Sequence, residues 1–169
     1  MDHKAAHELA NKQLDRVLGF FPRVETKVSF LFAMNSGLLV ILALNIQIAD
    51  FYRWYLIIPA IAAVLLSAAS LYFIYRCMFP DLKGGANSLI YFREIAKKTE
   101  ADFIAEVLAQ DDQKYARDLL GQVWRNSEIL KMKFDAMKIA FILVTLALIP
   151  WLLFLGEAAL LHSPGLVLK

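Results

Sequence analysis

From Val28 to Ile48 the chain runs for 21 residues without a charged side chain. A helix rises about 1.5 Å per residue, so this stretch reaches roughly 30 Å, the thickness of a bilayer hydrocarbon core. The pattern recurs twice. Trp54 to Tyr75 gives 22 uncharged residues, and Ile139 to Gly156 gives 18, followed by Glu157 and the apolar Ala158 to Leu161. Pro150 falls inside the third block, where a membrane helix tolerates it because its neighbours satisfy the freed carbonyl. The chain is 59% hydrophobic, against about 45–50% for soluble domains. The excess sits in these three blocks, which reads as three membrane spans at about 28–48, 54–75 and 139–161.

The first span enters on a charged edge, Arg23, Glu25 and Lys27, which marks a membrane interface. Its interior carries a polar face of Asn35, Ser36 and Asn45. Two readings stand for that face: hydrogen bonds between helices or subunits, or the lining of a conduction path. In the second span Trp54 and Tyr55 at one end, and Tyr72, Tyr75 and Arg76 at the other, fit interfacial belts. Its small residues, Ala60, Ala62, Ala63, Ser67, Ala68, Ala69 and Ser70, let a neighbouring helix approach closely. Residues 23–78 are therefore expected to form a tight transmembrane hairpin.

The first 22 residues mix charges of both signs and lack a continuous apolar run, so they are expected to stay with the mature protein. Ala6, Leu9, Ala10, Leu14, Val17, Leu18 and Phe21 recur at helical spacing, giving an amphipathic helix over 1–22 that Pro22 ends or bends. Pro80, Gly84 and Gly85 then open a polar region, 79–138. It is expected to hold a short helix over Asn87–Lys98 and a second over Glu100–Gln110. Thr99, with Asp102 three residues on, caps that second helix, and Phe103, Val107 and Leu108 face inward. Asp111 and Asp112 suit the start of a third helix. Tyr115, Leu119, Gln122, Val123, Asn126, Leu130 and Lys133 follow at spacings of three and four, with no Gly-Pro break before Pro150. The expected fold is an all-α membrane protein: three transmembrane helices and a cytosolic helical module, the last helix continuous from cytosol into the membrane.

Orientation follows from basic residues. Ten lie between Lys83 and Lys138, five in the N-terminal segment, one (Arg53) in the turn between spans one and two, and one (Lys169) in the tail. The positive-inside rule places the N-terminus and 79–138 in the cytosol, and the turn and the short tail 162–169 outside. The net charge of +2 is too small to argue for nucleic acid.

No catalytic arrangement is present: no GxSxG, P-loop or HExxH. An enzyme is therefore not expected. His3 and His7 stand at metal-binding spacing but lack a third ligand, and His162 falls on the other side of the membrane, so no metal site is expected. Cys77 is the sole cysteine, which excludes an intrachain disulfide. The cations offer two readings. Arg93, Lys97 and Lys98 cluster, and Arg117 and Arg125 share one helix, so they could hold a phosphorylated ligand; or they are charge placed by topology alone.

The segment Phe21 to Leu39, F-P-R-V-E-T-K-V-S-F-L-F-A-M-N-S-G-L-L, resembles the opening of the transmembrane effectors of the Pycsar antiphage system (PycTM-like). In those proteins an Arg-x-[Asp/Glu]-x-Lys-Ala segment leads into a span with a small Asn/Gly patch. Arg23, Glu25, Lys27, Asn35 and Gly37 fit, while Val28 stands where Ala is more usual. Tyr91 to Ile95, Y-F-R-E-I, and then Asp118, Leu119, Gln122, Asn126 and Lys133 extend the likeness over nearly the whole chain. The resemblance implies a membrane effector of abortive infection in the bacterial inner membrane. A partner pyrimidine cyclase makes the messenger, cyclic UMP (cUMP) or cyclic CMP (cCMP). The cytosolic helices sense it, and the spans, as a homo-oligomer in the lipid bilayer, impair the membrane. No motif transfers the nucleotide contacts. Two alternatives remain: a small helical membrane assembly protein, and a channel subunit without a nucleotide switch.

Overall fold

The computed structural model describes residues 3–80 and 85–162. The breaker Gly84, Lys83, the tail from residue 163 onward and the side chain of His3 lie outside the described residues. Among the described residues every regular element is helical: α1 (His3–Leu18), α2 (Phe21–Asn45), a 3₁₀ turn (Ile48–Tyr52), α3 (Trp54–Met78), α4 (Phe92–Ile95), α5 (Glu100–Leu108) and α6 (Asp112–His162). They form two compact units. One takes in residues 1–24 and 80–133, the other 25–79 and 134–169.

Three helices, within 7–45, 54–78 and 112–161, are long and apolar enough to cross a membrane. The 51 residues of α6 extend about 75 Å, and its backbone stays helical through Pro150.

The long helices share one burial rhythm. On α3 the buried residues are Leu56, Ala60, Ala63, Ser67, Ser70, Ile74 and Cys77, at alternating steps of four and three. On α2 they are Val24, Val28, Leu31, Asn35 and Leu42, and on α6 they run from Ala116 and Leu119 to Phe154 and Ala158. A 3.5-residue repeat is the seam of left-handed, coiled-coil-like packing. In the membrane unit Leu42, Leu56, Ala60, Ala63, Phe154 and Ala158 form a core with Trp151 packed against it. Alanines at these positions allow close helix approach. The opposite faces leave Phe30, Val40, Leu44, Leu65, Phe141, Ile149 and Leu152 exposed, a surface suited to lipid rather than water. In the other unit Ala10, Leu14 and Leu119 form the core, joined by Ile90, Tyr115 and Val123.

Four expectations need correction. Pro22 does not end the first helix. The break falls at Gly19 and Phe20, where the Gly19 N–H donates to the Asp15 carbonyl at 2.9 Å. Pro22 sits in the first turn of α2, where its missing N–H costs nothing. The first span starts earlier and stops sooner than 28–48: α2 ends at Asn45, whose side-chain amide donates to the Ile41 carbonyl at 2.8 Å. The buried Asp50 carboxylate then accepts the Gln47 N–H at 2.8 Å and so builds the connecting turn.

The helix expected over 87–98 shrinks to Phe92–Ile95, because side chains capture the backbone donors upstream of it. Finally, α5 does not turn its apolar side inward. Ile104, Val107 and Leu108 are all exposed and only Phe103 is half-buried. The Thr99 cap itself is present, its hydroxyl accepting the Asp102 N–H at 3.2 Å.

Candidate functional site

The polar unit contains one densely wired corner. Asp118 lies nearly two turns into α6, and its Oδ2 accepts the Ser88 hydroxyl at 3.0 Å and the Leu89 N–H at 2.9 Å. The Ser88 oxygen accepts the Ile90 and Tyr91 N–H groups at 3.1 and 3.0 Å and the Gln122 amide at 3.0 Å. Asn126 donates to the Gln122 carbonyl at 2.8 Å. Ser88 and Gln122 are buried, and buried polar groups persist only when bonded in this way.

The backbone entering this corner is bent to suit. Gly85 has φ 79 and a Cβ there would lie 2.8 Å from the Tyr91 ring, so only glycine fits. Asn87 adopts the left-handed region at φ 61, which Asn tolerates better than most residues. Its N–H donates to the Glu94 carboxylate at 3.2 Å. Glu94 is held below its ordinary value, first by the hydrogen bond from Lys97 and then by this backbone donor.

Between this loop and α6 opens a cleft of about 230 Å³, lined by Gly85, Ala86, Ser88, Asp118, Gly121, Gln122, Trp124 and Arg125. That is below the roughly 300–1,000 Å³ of drug-sized sites, so it suits a small ligand that keeps one side in solvent. Three features make it more than a gap. Trp124 is 64% exposed beside it, offering a flat aromatic face. Arg125 supplies a guanidinium whose i,i+3 partner, Glu128 at 2.9 Å, is itself partly exposed and so weakly held. Gly121 leaves the helix surface bare, and a Cβ there would meet nothing within 4 Å. Glycine inside a helix costs about 1 kcal/mol relative to alanine, and here the packing of the chain does not require it.

Of the five cations singled out in the sequence, Arg125 alone lines the cleft. Arg93 lies on α4, and Lys97 and Lys98 follow it. Lys97 pairs with Glu94, and Lys98 binds both carboxylate oxygens of Glu106 at 2.7 Å. Arg117 is exposed on α6. Lys133, read only as a seam position, is buried with its ammonium 5.6 Å from the Phe21 ring centre, a cation–π contact. Ser88, Gly121 and Trp124 were missed. An isolated tryptophan beside an arginine in a polar stretch was the available signal.

The membrane unit treats its polar residues unequally. Glu25 and Lys27 are exposed; so is Arg23, which belongs to the polar unit and lies 5.4 Å from the Phe20 ring centre. Asn35 is fully buried and donates to the Ser67 carbonyl at 3.3 Å, while its Oδ1 has no partner among the described residues. Ser36 is half-buried and Asn45 exposed. Ser70 donates to the Ala140 carbonyl at 2.9 Å and Trp151 to the Leu38 carbonyl at 2.9 Å. These two bonds tie α3 to α6 and α6 to α2.

Three candidate spans, a polar helical unit and a helix common to both define an all-α membrane protein. The family model described as the Pycsar effector protein domain matches residues 9–159. The chain belongs to the Pycsar effector family and is an antiphage membrane effector. No curated protein and no solved structure matches it.

Proposed function

We propose that the protein is a cyclic-nucleotide-responsive effector that impairs the bacterial inner membrane during abortive infection. A cyclic pyrimidine mononucleotide, cUMP or cCMP from a partner cyclase, binds the cleft between the 85–91 loop and α6. The observation that carries this reading is the placement of the cleft on α6, the helix that also supplies a membrane span. The base stacks on Trp124, a sequence-tolerant contact. Arg125 leaves Glu128 for the phosphate, which it can hold bidentately. Asp118 and Arg125 are seven residues apart, about 10 Å along the helix, so one end of the cleft accepts hydrogen bonds and the other attracts an anion.

Binding shifts a conformational balance only through contacts that differ between two states. Here the differing contacts are those between the loop and α6, and a turn of α6 carries into the span. The N-terminus and residues 79–138 face the cytosol, where their basic residues concentrate. Homo-oligomers of the spans then breach the bilayer.

Calorimetry on the detergent-solubilised protein tests the reading. Micromolar binding of cUMP or cCMP is expected. Trp124→Ala is expected to weaken it by about 1–3 kcal/mol. Gly121→Leu is expected to abolish it without loss of thermal stability, since the space above Gly121 is open. Absence of binding to either nucleotide, or an intact membrane potential after messenger is supplied in cells, would overturn it. The exposed apolar side of α5 favours a second reading, an assembly protein that holds a partner there, which predicts no nucleotide binding.

A further inference from the structure

Lys27 is the last charged residue before the first apolar block, and Lys138 the last before the third. They stand on different helices, α2 and α6, yet both line one groove of about 580 Å³ in the membrane unit. Apart from Thr26, its other lining is apolar. Leu31 is buried at 5% exposure, and Phe30 and Phe141, 65% and 57% exposed, stand beside it with Met137. No ion pair among the described residues involves Lys27 or Lys138.

We infer that this groove is a binding site for one anionic phospholipid, its acyl chain against Phe30, Leu31 and Phe141 and its phosphate between Lys27 and Lys138. A groove open to the bilayer offers water no partners along its apolar walls, and close packing disfavours leaving it empty. An acyl chain fills it. The two ammonium groups stand where the apolar blocks begin, at headgroup level whichever way the chain is inserted. Topology alone would place a lysine at the end of each span. It does not require both lysines to border one groove, where an anion meets two cations at once. Basic pockets between spans hold anionic headgroups for this reason. A second copy of the chain is a poorer occupant. A two-fold contact through this face brings the same patch from both subunits together, and so gathers four lysines.

The consequence is that a lipid links α2 to α6 beside the point where α6 leaves the apolar region. Activity then depends on membrane composition as well as on a messenger.

Native mass spectrometry of the full chain, purified in mild detergent and offered phosphatidylglycerol or phosphatidylcholine with identical acyl chains, tests the site. The wild type is expected to retain phosphatidylglycerol at least about tenfold better. The double variant Lys27→Gln, Lys138→Gln should lose that preference, and Lys27→Arg with Lys138→Arg should keep it. Both lysines are exposed, so neither change threatens the fold. Equal retention of the two lipids by the wild type, an unchanged preference in the glutamine variant, or displacement of the lipid by inorganic phosphate would overturn the inference. So would efficient cross-linking of Phe141→Cys chains to one another in membranes.

Discussion

The two units bury polar groups under opposite regimes. In the loop unit, Ser88, Asp118 Oδ2 and Gln122 are bonded to one another and to the adjacent backbone. In the membrane unit, Asn35 makes one long bond and leaves Oδ1 without a partner. A loop can bend until each donor meets an acceptor. A packed seam of straight helices has less freedom: Ser70 and Trp151 find carbonyl acceptors across it, while Asn35 Oδ1 does not. The wired corner is thus a place of definite structure, and Asn35 a place where the membrane packing is least committed. A well-bonded network resists change, whereas a half-satisfied polar side chain in hydrocarbon gains from a rearrangement that offers a new donor.

The comparison can be broken in three places. Asp118→Ala should cost most, about 2–3 kcal/mol, since it leaves the Ser88 hydroxyl and Leu89 N–H short of a charged acceptor. Thermal unfolding in detergent, together with faster proteolysis after residue 85, measures it; an unchanged melting curve would show the network to be ornamental. Asn35→Leu should move the other way. It loses a bond worth about 0.6 kcal/mol and removes an unpaired buried carbonyl costing about 1–3 kcal/mol, so resistance to SDS unfolding should rise by about 1 kcal/mol. A loss of stability would mean that Oδ1 is satisfied in the bilayer.

The smallest effect is a pH dependence. Glu94 titrates below its ordinary value of 4.5, so its contribution is complete above that pH and is lost as pH falls through the lowered value. Under the proposed function, nucleotide binding should weaken in that acid range, and Glu94→Gln should flatten the dependence. A profile that is the same with and without Glu94 would remove its role in holding the loop.

Much of the fold could be read from the chain because the forces that make it are local or repetitive. Three uncharged blocks give three helices, and Thr99 with Asp102 gives the α5 cap. The run without a Gly-Pro break after Asp112 gives a helix that continues to His162. What escaped is non-local. Ser88 and Asp118 are 30 residues apart, and nothing near Ser88 announces that its neighbours' N–H groups will be taken by side chains, so local periodicity predicts one helix over 87–98. Pro22 by itself does not tell whether a helix ends, bends or begins there, and Gly19 three residues earlier decides it. Periodicity identifies the apolar face of α5 but not what lies against it. The cleft needed both the Gly85 turn and α6 in place before Trp124, Gly121 and Arg125 could be seen as neighbours.

The unbroken rhythm of buried residues along α6 has a consequence for building with this protein. Its phase can be edited. An insertion of seven residues near Lys133 returns the downstream seam to within about 20° of its old heading, whereas an insertion of four swings it by roughly 40°. Under the proposed function, heptad-sized spacers should therefore leave a working effector, and four-residue spacers should uncouple the membrane end of α6 from its messenger. The same arithmetic would govern any foreign sensor grafted upstream: its helix must arrive at position 133 in step.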